Sequence, residues 1–160
     1  MKRLENAEDK DKKDDVWEDG GIPQSFIGRH DSKVYYGGRI CISADWRLRL
    51  AGDRVVAVRD VAEPNAVSLL PESEYEMELA VMQDKDYPEA QRVALLAAKR
   101  LRIDVRGRVK LPDELLRLVG GSGRVTLMGC IRKIRVFPFF EPPDFDEDAL
   151  SAALAEALGS

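Results

Sequence analysis

The chain has 160 residues, of which 44% are hydrophobic and 34% charged, with a formal net charge of −4. That supplies a core for one compact domain, or two very small ones at most, and excludes a wholly disordered chain. Two cysteines (Cys41, Cys130) and one histidine (His30) exclude a disulfide scaffold and leave no metal site or histidine base to assign. No apolar run approaches the roughly 18 residues of a bilayer span. The opening segment mixes acidic and basic side chains and does not read as a secretory signal, so reduced thiols and a cytosolic setting are the expectation.

In chain order, residues 1–22 carry almost no apolar periodicity and predict a disordered charged tail holding Trp17. Val34–Ile42 reads as strand, tight turn at Gly37-Gly38, strand; Asp45–Leu50 as a short helix with Trp46 in the core. Arg54–Arg59 and Ala66–Leu70 are strands. Pro71 opens a helix with Tyr75, Leu79 and Met82 on one face, and Pro88 opens a second that runs to Arg100, with Val93, Leu96, Ala97 and Leu101 on one face. Leu101–Val105, a turn at Arg106-Gly107 and Arg108–Leu111 begin a second strand–turn–strand. Then come a helix over 112–119, strands at 125–128 and 134–137, an acidic linker and a last helix, 147–158. Cys41 and Cys130 are expected as small buried hydrophobes, and His30 at the surface.

This order is an internal repeat. Gly38-Arg39-Ile40-Cys41-Ile42-Ser43 aligns with Gly107-Arg108-Val109-Lys110-Leu111-Pro112 at an offset of 69, as do Gly52 with Gly121 and Val56 with Val125. Ser68-Leu69-Leu70-Pro71 aligns with Arg135-Val136-Phe137-Pro138 at 67. Each copy is too small for a good core alone, so the two are expected to pack about a pseudo-twofold axis. The resulting division is a charged tail (1–22), a first repeat (23–71), a helical insertion (72–100), a second repeat (101–138), and an acidic linker with a C-terminal helix (139–160).

Charge is also unevenly distributed along the chain. Residues 92–138 hold 12 basic and 3 acidic side chains, while 139–160 hold no basic and 6 acidic ones. A basic segment in an acidic frame points toward phosphate backbones. Gly107 permits the positive φ of a tight hairpin turn and throws its neighbours to the tip. Arg106 and Arg108, at i and i+2, can share one side of the ribbon, and arginine pairs bidentately with guanine in the major groove. Asp104 either accepts backbone N–H bonds or pairs with an arginine. Tyr35 and Tyr36 read as one packed and one exposed ring. Arg132-Lys133 forms a turn that adds phosphate contacts if it lies near the Gly-Arg turns.

Asp104-Val105-Arg106-Gly107-Arg108, continued by alternating apolar residues and Pro112, resembles the Asp-x-Lys-Gly-Arg signature of the MraZ family of bacterial transcriptional regulators, within the AbrB-like swapped-hairpin group. Phe26-x-Gly28 precedes Arg39 at the family's spacing, and the insertion between copies is also similar. The first motif departs from the pattern: Tyr35-Tyr36-Gly37-Gly38-Arg39 lacks the Asp and the Lys, and Ser43 replaces proline, whereas Ala44 and Arg47 keep the family's next positions. The resemblance implies a β-rich α+β fold of two tandem swapped-hairpin repeats. It also implies a cytoplasmic, nucleoid-associated repressor that binds promoter direct repeats in double-stranded DNA as a ring-shaped homo-oligomer. Arg39, Arg106, Arg108 and Lys110 are the nucleic-acid-binding candidates, and Gly38, Asp104 and Gly107 shape the turns. No catalytic residue, cofactor, metal or membrane partner is assigned. The alternative is an oligomeric scaffold of the same fold that has lost specific DNA binding.

Overall fold

The computed structural model describes residues 25–50, 52–142 and 147–159; the predicted charged tail, with Trp17, lies outside them. The chain is a β-rich α+β protein. Its elements are β1 (Arg29–Lys33), β2 (Arg39–Cys41), α1 (Ala44–Arg49), β3 (Arg54–Arg59), β4 (Val67–Leu70), α2 (Glu72–Val81), α3 (Glu89–Leu96), β5 (Lys99–Arg102), β6 (Arg108–Lys110), α4 (Asp113–Val119), β7 (Arg124–Gly129), β8 (Ile134–Pro138) and α5 (Glu147–Gly159). Six strands form an open antiparallel sheet in the order β1-β7-β8-β4-β3-β5, and β2 and β6 form a separate two-stranded ribbon. Exchanging β1 with β5, β2 with β6, β3 with β7 and β4 with β8 returns both orders unchanged.

The register corrects the sequence alignment. Val56 lies opposite Arg100 and Leu70, as Thr126 lies opposite Asp31 and Phe137. Val56 therefore matches Thr126, not Val125, and the offset at this strand is 70 rather than 69. The added residue falls between helix and strand, where Gly120-Gly121-Ser122-Gly123 is longer than its counterpart ending at Asp53. Asp53 O accepts from Ile103 N (2.7 Å) as Gly123 O accepts from Val34 N (2.8 Å), which fixes those two positions as equivalents.

One apolar core is built from both halves. Phe26, Ile40, Ile42, Trp46, Val55 and Ala57 pack with Val109, Leu111, Leu115, Val125, Leu127 and Val136. Neither half could bury these residues alone. Ser43 caps α1 by accepting from Trp46 N, and the Trp46 indole donates to Ile27 O at 3.0 Å. A second cluster lies on the opposite face of the sheet, where Val56, Val58 and Leu70 meet Tyr75 of α2 and Leu95 of α3. Residues of β3 thus alternate between two buried layers, which is why its interior is apolar throughout. The matching face of β7 has a different cover. Arg29 and Arg124 stack on Phe139 and Phe140, and the Arg29 guanidinium donates to the carbonyl of Phe140.

Several local expectations change. The first strand starts at Arg29 rather than Val34, because its partner is the apolar β7 and not the next hairpin arm. Helix α3 ends at Leu96, and Lys99-Arg100 belong to β5. With the helix that short, its inward residue is Leu95; Val93 and Leu96 face outward. His30 is half-buried rather than a surface residue, edge-on to Trp46 at 6.3 Å. Its Nε2 is shielded, with no hydrogen-bond partner among the described residues. Both cysteines are half-buried, and Cys130 sits past the end of β7.

Beyond β3, Asp60 is almost fully buried. It accepts from Ser68 Oγ (2.7 Å), Arg135 Nε (2.7 Å), Lys133 Nζ (3.4 Å) and Glu63 N (2.8 Å). Burial pushes its carboxyl up, but these hydrogen bonds and the Lys133 charge outweigh burial and hold it at about 2.

Candidate nucleic-acid interface

The ribbon pairs Arg39 with Lys110, Ile40 with Val109 and Cys41 with Arg108. Side chains alternate along each strand, so Ile40 and Val109 point into the core, where both are fully buried. The opposite face then carries Arg39, Arg108, Lys110 and Cys41. Arg39 and Lys110 are exposed and Arg108 is half-buried. Three of the four residues expected at a phosphate or base thus share one surface. The fourth, Arg106, is exposed in the turn that joins β5 to β6.

Both turns share one hydrogen-bond pattern, although Gly37 of the first is also left-handed, at φ +81°, and Arg106 at the matching position of the second is not. Asp104 N donates to Arg108 O (2.9 Å) and Gly107 N to Asp104 O (2.9 Å); Tyr35 N donates to Arg39 O (2.7 Å) and Gly38 N to Tyr35 O (3.0 Å). This is a three-residue hairpin loop closed by a left-handed residue, at φ +83° for Gly107 and +79° for Gly38. Each turn is held by the other half. Ile42 N donates to Gly107 O (2.9 Å) and Leu111 N to Gly38 O (3.1 Å). The equivalent residues Leu116 and Arg47 roof the glycines: a Cβ on Gly38 would lie 2.8 Å from Leu116 Cδ2, and one on Gly107 would lie 2.5 Å from Arg47 Nε. Arg47 donates to Ile42 O (3.2 Å) and so adds a cation beside the second turn. The sequence signal for it was its position in the repeat, in the helix that Ser43 caps.

Asp104 takes the backbone option. Its Oδ1 accepts from Arg106 N and Arg108 N, both at 2.9 Å. The Arg108 amide first, then the Arg106 amide and the charges of Arg108 and Arg39, hold its carboxyl below the usual carboxylate range despite some desolvation. Tyr35, at the equivalent position, has no carboxylate to offer. Its half-buried ring lies under the Arg108 guanidinium instead, 3.8 Å from centroid to Cζ. The second ring, Tyr36, is 96% exposed, and its counterpart Val105 is 98% exposed, so both tips present a bulky side chain to solvent. Arg132 and Lys133 lie away from the Gly-Arg turns. They pair with Glu74 (3.4 Å) and Asp60 (3.4 Å), beside α2 and the end of β3.

Among the described residues, no group of three or more His, Cys, Asp or Glu could hold a metal ion. No helix there is long and apolar enough to cross a membrane. No family model matches the chain. A curated relative, the transcriptional regulator MraZ of Marinobacter nauticus, is 27% identical over 121 residues, covering 71% of this chain and 81% of its own length. In sequence, the chain is thus a distant relative of an MraZ transcriptional regulator.

Proposed function

We propose that this protein is a sequence-specific DNA-binding transcriptional regulator that inserts the tips and outer face of its β2–β6 ribbon into the major groove. The observation that carries the reading is the shared face of Arg39, Arg108 and Lys110 on a ribbon whose reverse face is locked into the core. Such a surface cannot collapse inward, and a two-stranded ribbon fits the major groove. The relative from M. nauticus, a transcriptional regulator, points the same way. In this reading, residues 23–71 and 101–138 are tandem swapped-hairpin units, with 72–100 an insertion between them. The targets are promoter direct repeats, the outcome is repression at the nucleoid, and the assembly is a homo-oligomeric ring. One ribbon covers little DNA, so several copies on spaced repeats supply the affinity by avidity.

The test is fluorescence anisotropy with guanine-rich direct-repeat duplexes against a shuffled control, across salt. Each cation that neutralises a phosphate contributes about −0.9 to the slope of log K against log salt. Arg108→Ala is expected to lose about 1–3 kcal/mol on the repeat duplex and relax its preference. Wild-type binding by that variant refutes the role of the turn. The scaffold alternative is favoured by one observation, the Tyr35 turn with neither the carboxylate nor a second cation. No binding to either duplex at low salt selects it.

A further inference from the structure

A cavity of about 430 Å³ lies between the outer face of the sheet, helices α2 and α3, and the β7–β8 turn, on residues distinct from the ribbon. That volume suits a small organic molecule. Its apolar wall includes Val58, Leu70 and Leu95, already buried by the fold. Its polar wall includes Arg135, Lys133 and Gln91.

The polar wall has more donors than the protein uses. Two cations meet one carboxylate: Arg135 Nε and Lys133 Nζ both address Asp60 Oδ2, which also accepts from Ser68. That oxygen is fully used, and over the whole wall four cations, Arg59, Arg132, Lys133 and Arg135, face three carboxylates, Asp60, Glu74 and Glu78, so one positive charge is in excess. The terminal amino groups of Arg135 and the carboxamide of Gln91 have no partner among the described residues. The other carboxylates of the wall are engaged, Glu74 with Arg132 and Glu78 with the Tyr87 hydroxyl (3.0 Å).

The turn at the edge of the cavity adds an independent observation. Ile131 has φ +68°, a left-handed conformation that a β-branched residue rarely adopts. Its backbone is held there by two 2.8 Å hydrogen bonds with Phe26. Its side chain lines the cavity yet is 51% exposed, so burial does not offset the strain. The pairing with Phe26 holds the strained backbone, and it sets the Ile131 side chain at the rim of the cavity, placed to cover a bound molecule.

We propose that this cavity binds a small organic anion with a compact apolar body. The carboxylate or phosphate meets Lys133, Arg135 and Gln91, and the body lies on Val58 and Leu95 and under Ile131. The probe is 1-naphthoate, with the neutral 1-naphthalenemethanol as control, each titrated into the full chain by amide NMR. Shifts are expected to cluster at Tyr87, Gln91 and 131–135, and the neutral compound is expected to bind at least tenfold more weakly. Lys133→Gln leaves the Asp60–Arg135 pair in place and is expected to weaken naphthoate binding about tenfold. Ile131→Gly is expected to keep or raise the melting temperature while weakening binding. The proposal is overturned if shifts centre elsewhere, if the two compounds bind equally, or if both variants bind naphthoate like the wild type.

Discussion

Replacing Asp60 with Asn tests the buried charge cluster through its pH dependence. The carboxyl falls from an ordinary 3.8 to about 2 in the folded protein, so the native state favours its ionised form. The resulting stability is fully present above about pH 4 and is lost as pH falls through 2. At about 1.4 kcal/mol per pH unit, the interval corresponds to roughly 2 kcal/mol. Asp60→Asn also leaves Arg135 and Lys133 without their counter-charge, so at pH 7 the variant is expected to be less stable by about 3 kcal/mol. Urea denaturation monitored by circular dichroism, at intervals from pH 7 to 2, measures both effects. The gap between wild type and variant is expected to hold from pH 7 to about 4.5, then narrow by about 2 kcal/mol by pH 2. A gap that stays constant over that range refutes the account, since it would mean that Asp60 is not held ionised by its neighbours.

Other expectations concern the turns and the close approaches. A Cβ on Gly129 would lie 2.5 Å from the Phe26 carbonyl carbon and the Ile27 nitrogen, whereas Gly121 is open. Gly129→Ala is therefore expected to cost about 2 kcal/mol and Gly121→Ala well under 1, read by chemical denaturation. Gly107→Ala combines a left-handed φ with a clash on Arg47 and is expected to lose about 1–2 kcal/mol of stability and to weaken DNA binding with it. Tyr35→Ala is expected to free Arg108 and reduce DNA affinity by a few fold, in keeping with the roughly 0.5–1 kcal/mol of an exposed cation–π contact. Tyr35→Phe is expected to keep that affinity, and a loss there would place the role in the hydroxyl instead. Asp104→Ala is expected to speed amide exchange at Arg106 and Arg108. Because the Asp104 carboxyl lies below its ordinary range, that protection in the wild type is expected to persist as pH falls through 4.

What could be read from residues alone was the order of elements and the repeated Gly-Arg turns, since glycine, proline and apolar alternation act locally. Arg39, Arg108 and Lys110 were candidates through the Gly-Arg turns and the family resemblance; that they share one face follows from the β2–β6 pairing. The one-residue shift at Val56 was not legible, because nothing in the loop after α4 says which glycine takes the added position. Only pairing with β1 and β8 decides it. Nor did the sequence show that Tyr35 would lie beneath Arg108, because the two belong to different halves of the chain and meet only through the β2–β6 pairing. Whether the Arg132-Lys133 turn lies near the Gly-Arg turns was open for a related reason. The partners of Arg132 and Lys133, Glu74 and Asp60, reach them only after the sheet has closed.

The exchange of strands between halves also governs when the protein can begin to fold. Arg29 waits for Met128, and the first turn waits for the Leu111 amide of the second half. At about 5–20 residues per second of synthesis, β1 emerges roughly 5–20 seconds before its partner exists. During that interval β3 can pair with β4 and then β5, but β1 and the far edge of β4 stay unpaired until β7 and β8 exist. Folding is therefore expected to be slow and late, limited by contacts distant in sequence. A nascent chain stalled before β7 is the species most exposed to wrong pairing with a neighbour on the same message.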